Sequence, residues 1–351
     1  MDLDLKKYIP VSYALTAALL FGLNAPFCKL LVKELNPLFL AALLYLGAGV
    51  GMLIIDIIKR YQNYTSLEAR LTKKEVPFVV AMILLDIAAP IFLMFGLSLT
   101  NASTAALLGN FEIVATSIIA MVFFQEALGK RLWIAIGLIS IASVILTLRD
   151  VETIKISLGS LLVLLSAVCW GFENNCTRNL SIKDPLQVVI IKGFGSGIGA
   201  LFIAYRWGVL SAPLIYIILA LMLGFFAYGM SIFFYVTAQR ELGAARTSAY
   251  YAAAPFMGVV ISWIVLREPI SASFLIALAI MIAGAYFAVS EKHIHEHAHE
   301  SVTHEHKHRH DDEHHDHVHN TKVTEHSHEH THRKITHTHE HLPDLHHRHK
   351  H

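Results

Sequence analysis

Hydrophobic positions along this chain do not alternate with polar ones; they run. Ten apolar stretches, roughly 10–33, 37–58, 76–99, 102–125, 132–149, 157–180, 185–205, 212–238, 244–266 and 270–290, follow one another with mostly short connections. The one longer polar loop is 59–75, "KRYQNYTSLEARLTKKE". Each stretch is near the length, about 20 residues, at which a helix crosses about 30 Å of hydrocarbon. Strands would be shorter, or would show the weak alternation of a membrane barrel. The pattern predicts an all-α integral membrane protein with ten transmembrane helices. The first run follows Lys6-Lys7 but has no small-residue cleavage pattern and is too long for a signal-peptide core, so it is read as helix 1.

After Ser290 the apolar pattern stops. All 23 histidines fall at or beyond His293, so the whole-chain averages of 55% hydrophobic and 16% charged residues blend two unlike parts. Residues 291–351 have too few apolar side chains to offset the entropy of ordering, and are expected to form a disordered tail. Basic residues orient the rest. With the N-terminus in the cytoplasm, the inner loops carry Lys6, Lys7, Lys59, Arg60, Arg70, Lys73, Lys74, Lys130, Arg131, Arg178, Lys183, Arg240 and Arg246. The outer loops then carry only Lys29, Lys33, Arg149, Lys155, Arg206 and Arg267. This bias predicts a multi-pass cell-membrane protein with both termini cytoplasmic. Cys28, Cys169 and Cys176 all lie inside apolar runs, which suggests no disulfide framework.

The membrane part repeats itself. "NPLFLAALLYLGAGVGML" in the second run matches "DPLQVVIIKGFGSGIGAL" in the seventh, setting Asn36-Pro37 on Asp184-Pro185 and Gly47, Gly49 and Gly51 on Gly195, Gly197 and Gly199. "FGLNAPFCK" matches "WGFENNCTR", with Gly22 on Gly171 and Lys29 on Arg178. "NASTAALLGNFEIVATSIIAMVFFQEALG" matches "GAARTSAYYAAAPFMGVVISWIVLREPIS", with Glu126 on Glu268. Three regions follow: five-helix repeats at 1–150 and 151–290, and the tail at 291–351. Because five is odd, the second copy enters the membrane from the opposite side, an inverted repeat of the kind found in alternating-access carriers.

On these residues the chain resembles the EamA-type members of the drug/metabolite transporter superfamily: paired five-helix repeats, a small-residue helix start, a mid-helix Glu or Pro, and a Glu at the helix end. The resemblance covers about 10–290 and implies a carrier, mostly an exporter, of amino acids, related metabolites or drugs, or a carrier of sugars and nucleotide sugars. The family's Glu-Pro pair is split here, since Ile113 follows Glu112 and Ala254 precedes Pro255.

Ionisable residues inside lipid are costly and are functional candidates by default. Asp86, Glu112, Glu173 and Lys192 fall within apolar runs, a net acidic set suited to a cationic or zwitterionic substrate or to proton coupling. Each could equally be a helix-to-helix hydrogen bond. Asn24, Asn110, Tyr228 and Tyr250 complete the expected pathway, with Asp86 on Tyr228, Glu112 on Ala254 and Glu173 on Asn24 across the repeat. Cys169, Glu173 and Cys176 share a helix face and form a weaker metal-ligand candidate, set against the ordinary role of cysteine as a small buried hydrophobe. Gly47, Gly51, Gly193, Gly195, Gly197 and Gly199 read as packing positions. Glu126 and Glu268, at helix ends, read as caps or interface charges.

The tail carries its own chemistry. Neutral imidazole is the commonest metal ligand and suits Zn²⁺, Ni²⁺ and Co²⁺. Candidate ligands are His293, His295, His297, His299, His304, His306, His308, His310, His314, His315, His317, His319, His326, His328, His330, His332, His337, His339 and His341. A polar tail that merely solubilises or meets anionic lipid is the plainer alternative.

Three functions stay open on sequence alone: a metabolite exporter with a metal-sensing or metal-buffering tail, a divalent-metal exporter, and a membrane-tethered metal store or sensor. No cofactor is required for transport. The expected partners are the bilayer, a small-molecule or cation substrate and protons, with a homodimer conceivable and no nucleic acid. An enzyme is not expected, and an ATP-driven one in particular lacks the G-x-x-x-x-G-K-S/T loop it would need.

Overall fold

The computed structural model describes residues 2–62, 71–124, 128–150, 155–177, 180, 183–290, 293–298, 303–309, 325–331 and 336–341. Each apolar run is helical. In the first half, α1 (Asp2–Gly22) and α2 (Asn24–Leu31) make the first crossing and α3 (Pro37–Tyr61) the second. Next come α4 (Val76–Leu99), the pair α5 (Ala102–Leu108) and α6 (Phe111–Phe124), and α7 (Lys130–Thr147). The second half holds α8 (Leu158–Thr177), α9 (Pro185–Arg206), and α10 (Leu214–Gly224) with a π-helical turn at Phe225–Met230. It ends with α11 (Ser231–Tyr251), α12 (Ala254–Leu266) and α13 (Ala272–Val289). Among the described residues eight spans are long and apolar enough to cross a membrane by length and composition; α12, at 13 residues, is shorter, and α8 is made polar by Glu173-Asn174-Asn175.

One boundary differs from expectation. The apolar pattern puts a connection between 238 and 244, yet α11 is helical throughout. It is not a straight rod: the Tyr235 and Tyr251 rings meet edge to face with centroids 4.9 Å apart, and Ser231 Oγ lies 3.5 Å from Tyr251 Oη. A straight helix would hold those pairs about 24 and about 30 Å apart. The chain therefore reverses within α11, and the eighth and ninth crossings meet there without a loop.

Matching sequence makes matching local structure. Asn36 and Asp184 cap α3 and α9, accepting from Leu38 N at 3.0 Å and Leu186 N at 2.9 Å, and Pro37 and Pro185 follow where a missing N–H costs nothing. The glycines let backbones touch. A Cβ on Gly193 would overlap the Gly49 amide nitrogen, and one on Gly224 the Leu44 carbonyl, so α3 is clasped by α9 on one side and by α10 on another. Along α9, Gly193 and Gly197 face α3 while Gly195 and Gly199 face Ile83 and Ile87 of α4, as a spacing of two residues on a helix requires.

The helices pair as α1 with α11, α4 with α8, α3 with α9, α5 with α12 and α7 with α13. Apolar side chains such as Ile54, Leu84, Phe202 and Ile264 are exposed on the outside, where lipid replaces water. Two short strands, β1 (Leu148–Asp150) and β2 (Lys155–Ile156), pair between the halves. The tail, expected from composition to be disordered, differs in its described segments, which are paired strands: β3 (His293–Ala298) pairs antiparallel with β6 (Thr336–His341), and β4 (Thr303–Arg309) with β5 (Glu325–Thr331). His299, His310, His314, His315, His317, His319 and His332 lie outside the described residues, as do Glu126 and Arg178.

Candidate functional site

Asp86, Glu173 and Lys192, read separately from the sequence, come together. Lys192 Nζ lies 3.0 Å from Asp86 Oδ2 and 3.0 Å from Glu173 Oε1, and all three residues are buried. The other Asp86 oxygen accepts from Tyr45 Oη at 2.7 Å, and Thr177 donates to Glu173. Asp86 and Tyr45 come from the first half, on α4 and α3; Glu173 and Lys192 come from the second, on α8 and α9. The close approach of α3 and α9 at Gly49 and Gly193 sets Lys192 within reach of Asp86. Pro90 lies one turn beyond Asp86 and has no N–H for the Asp86 carbonyl.

A second polar centre adjoins the first. Asn24 Nδ2 donates to Tyr228 Oη at 3.0 Å, and Cys28 Sγ donates to Asn24 Oδ1 at 3.0 Å. The Tyr45 and Tyr228 rings, 5.1 Å apart, join the two centres. Asn24 opens α2 at the break after α1, and Tyr228 lies in the π-helical turn, which rotates the side chains that follow it. The sequence match between the two halves sets the centres on each other: Glu173 falls on Asn24, Thr177 on Cys28 and Asp86 on Tyr228. Thr177 bonds Glu173 one turn away as Cys28 bonds Asn24, so one geometry appears once charged and once neutral.

Glu112 stands apart, accepting from Asn174 Nδ2 at 2.6 Å where both residues are partly or fully exposed. Asn110 occupies the break between α5 and α6; its Nδ2 donates to Leu107 O at 3.2 Å, and its buried Oδ1 has no partner among the described residues. Tyr250 is exposed and outside the cluster, whereas its neighbour Tyr251 packs 5.9 Å from Phe21. Phe21 also meets Trp170 at 6.4 Å and Tyr228 at 6.2 Å. The Cys169–Glu173–Cys176 face does not assemble as a metal site: Glu173 is engaged by Lys192 and Thr177, and among the described residues no group of three or more His, Cys, Asp or Glu could hold an ion.

The helix interruptions converge beside these centres. A Cβ on Gly22, at the α1 break, would meet Ala254 O at 3.1 Å, and one on Gly258 would meet Ala106 Cβ at 3.0 Å. Breaks in corresponding helices of two halves are where carriers build substrate sites. Tyr45 is the participant that sequence reasoning missed. Its only signal is a phenol within an apolar run, and its partner is 41 residues away.

Comparison with known proteins agrees with this architecture. An uncharacterized transporter of Methanothermobacter thermautotrophicus (strain ATCC 29096 / DSM 1053 / JCM 10044 / NBRC 100330 / Delta H) is 26% identical over 288 residues, covering 78% of this chain and 83% of its own. The uncharacterized transporter YyaM of Bacillus subtilis (strain 168) is 24% identical over 278 residues, covering 76% and 89%. A solved crystal structure superposes on 80% of this chain and 96% of its own with a TM-score of 0.58 at 18% identity, a likeness of fold alone. The model of the EamA-like transporter family matches twice, at residues 9–148 and 157–290. With its helices apolar enough to span a bilayer and both halves matched, this multi-pass membrane protein belongs to the EamA-like transporter family.

Proposed function

We propose that the protein is a secondary carrier, working as an exporter, of a small polar amino-acid-like metabolite, and that the Asp86–Lys192–Glu173 cluster is part of its pathway. The observation that carries this reading is the cluster itself: a buried ammonium held between two carboxylates contributed by both halves of the molecule. A zwitterion offers the same two kinds of charge and can exchange partners with it. The surplus carboxylate offers a place for a proton to travel with or against the substrate.

An inverted repeat fits the helix pairing. Exchanging the halves turns the α1–α11 pair into α8–α4 and leaves α3–α9 and α7–α13 each paired with its own mate, while α5–α12 joins the fourth crossing to the ninth. The family model's two successive matches support the duplication. The density of basic residues on the inner loops supports cytoplasmic termini.

The histidine-rich tail is proposed to bind Zn²⁺, Ni²⁺ or Co²⁺ as an accessory, sensing or buffering metal near the inner mouth. A divalent-metal exporter is the second reading, and the tail favours it. The test compares the full chain with a form ending at Ser290 in vesicles, following amino acids and Ni²⁺, Zn²⁺ and Co²⁺. Amino-acid flux in both forms supports the metabolite carrier; metal flux that survives truncation, without amino-acid flux, overturns it for the second reading.

A further inference from the structure

On the membrane face where α4 turns into α5, both ends of the turn are held by side chains from distant parts of the chain. Lys29 Nζ donates to the Leu97 and Thr100 carbonyls, at 2.5 and 2.6 Å, as α4 ends. Glu268 accepts from Ala102 N at 2.7 Å, Ser103 N at 2.8 Å and Ser103 Oγ at 2.5 Å as α5 begins. Asn101, a residue type that ordinarily caps its own helix, makes no such bond. The free amides of α5 are thus satisfied by a carboxylate from the other half of the molecule.

The backbone is bent to deliver it. Arg267, just before Glu268, has φ 51°, the one positive φ at a non-glycine among the described residues. That left-handed conformation is disfavoured for a residue with a Cβ and persists only where its surroundings hold it. Beneath the turn, next to Lys29 in sequence, lies Cys28, fully buried and bonded to Asn24 of the neutral centre. Glu268 and Lys29 are themselves only partly buried, so water can take over their bonds when they part.

We propose that Glu268, backed by Lys29, is a bolt that holds this end of the pathway shut, and that releasing it opens this face while the opposite face closes. The idea rests on the alternating-access reading, but its test measures access and not flux, so the two fail separately.

Two forms of the full chain each keep one native cysteine. One retains Cys28, near the bolted face; the other retains Cys176, which is near the far end of α8 and partly exposed. Membrane vesicles of either orientation are treated with a charged, impermeant methanethiosulfonate. With Glu268→Gln, Cys28 should label about tenfold faster, the scale expected from losing charge-assisted bonds, and Cys176 more slowly. Lys29→Met should act in the same direction. If Glu268→Gln does not accumulate, Ser103→Ala, which removes one of the three bonds, carries the same test with a smaller rise. Unchanged Cys28 labelling in these variants overturns the bolt. So does a rise at both cysteines together, which reports a loosened fold.

Discussion

Lys192 is the residue on which the buried cluster depends. Removing one member of a buried ion-pair set strands the others, at a cost of about 3–5 kcal/mol. Lys192→Met should therefore lower the melting temperature of the purified protein clearly, and the double change Asp86→Asn with Lys192→Met should recover part of the loss. A double variant no better than the single one would mean that Asp86 and Lys192 act independently. Tyr45→Phe removes the 2.7 Å bond to Asp86, and should cost about 1.5–3 kcal/mol, the value of a hydrogen bond to a charged group. Chemical denaturation in detergent reads it directly. At this scale the sequence was informative where a charge interrupts lipid-like surroundings, as at Asp86, Glu173 and Lys192. It was silent at Tyr45 and Cys28, a phenol and a thiol that belong in an apolar run without explanation, whereas Tyr228 stood out by falling on Asp86 across the repeat. Partner choice was hidden too, since Lys192 and Asp86 meet only through the packing of α9 against α3 and α4.

Among the helices, the glycine contacts decide how close the halves can come. Gly224→Val should expel α10 from α3, because its Cβ would overlap the Leu44 carbonyl oxygen. At Gly137 in α7 an added Cβ would have nothing within 4 Å, so Gly137→Ala should be neutral or stabilising by about 0.5–1 kcal/mol through helix propensity. Yields of monodisperse protein after size-exclusion chromatography compare the two. Similar yields for both would mean that the α3–α10 contact does not limit folding. Run length made the crossings legible, and paired Asn-Pro and Asp-Pro motifs made the starts of α3 and α9 legible. The reversal between the eighth and ninth crossings was legible, because Gln239, Arg240 and Glu241 look like a loop; that the backbone stays helical through it was not. The breaks at Leu23, Asn110 and Ala252 were also missed, since an apolar run carries no mark of where its helix is interrupted.

On the largest scale, a transport body and a proposed metal-binding tail should behave as separable parts. Ending the chain at Ser290 should abolish binding of Ni²⁺ by the purified protein, followed by calorimetry, and leave its melting temperature in metal-free buffer unchanged. Strong Ni²⁺ binding by the shortened chain would place a metal site in the helices and weaken that division. The proposed duplication rests on motifs legible in sequence, Asn36-Pro37 against Asp184-Pro185 and Glu126 against Glu268, although the offset between copies falls from 148 to 142 residues between them. The bolt at Glu268 was legible only as a charge at a helix end, because what it caps is a helix of the other half.

If the cluster joining the halves lies on the path of a polar metabolite, neutralising either carboxylate should stop exchange. The decisive experiment is counterflow of labelled amino acids, supplied as a panel, into vesicles holding the full chain, its Asp86→Asn form or its Glu173→Gln form at equal density. The full chain should exchange at least one amino acid, and both variants should lose that exchange while still folded. Equal exchange in all three, or none by the full chain, would contradict the proposed pathway.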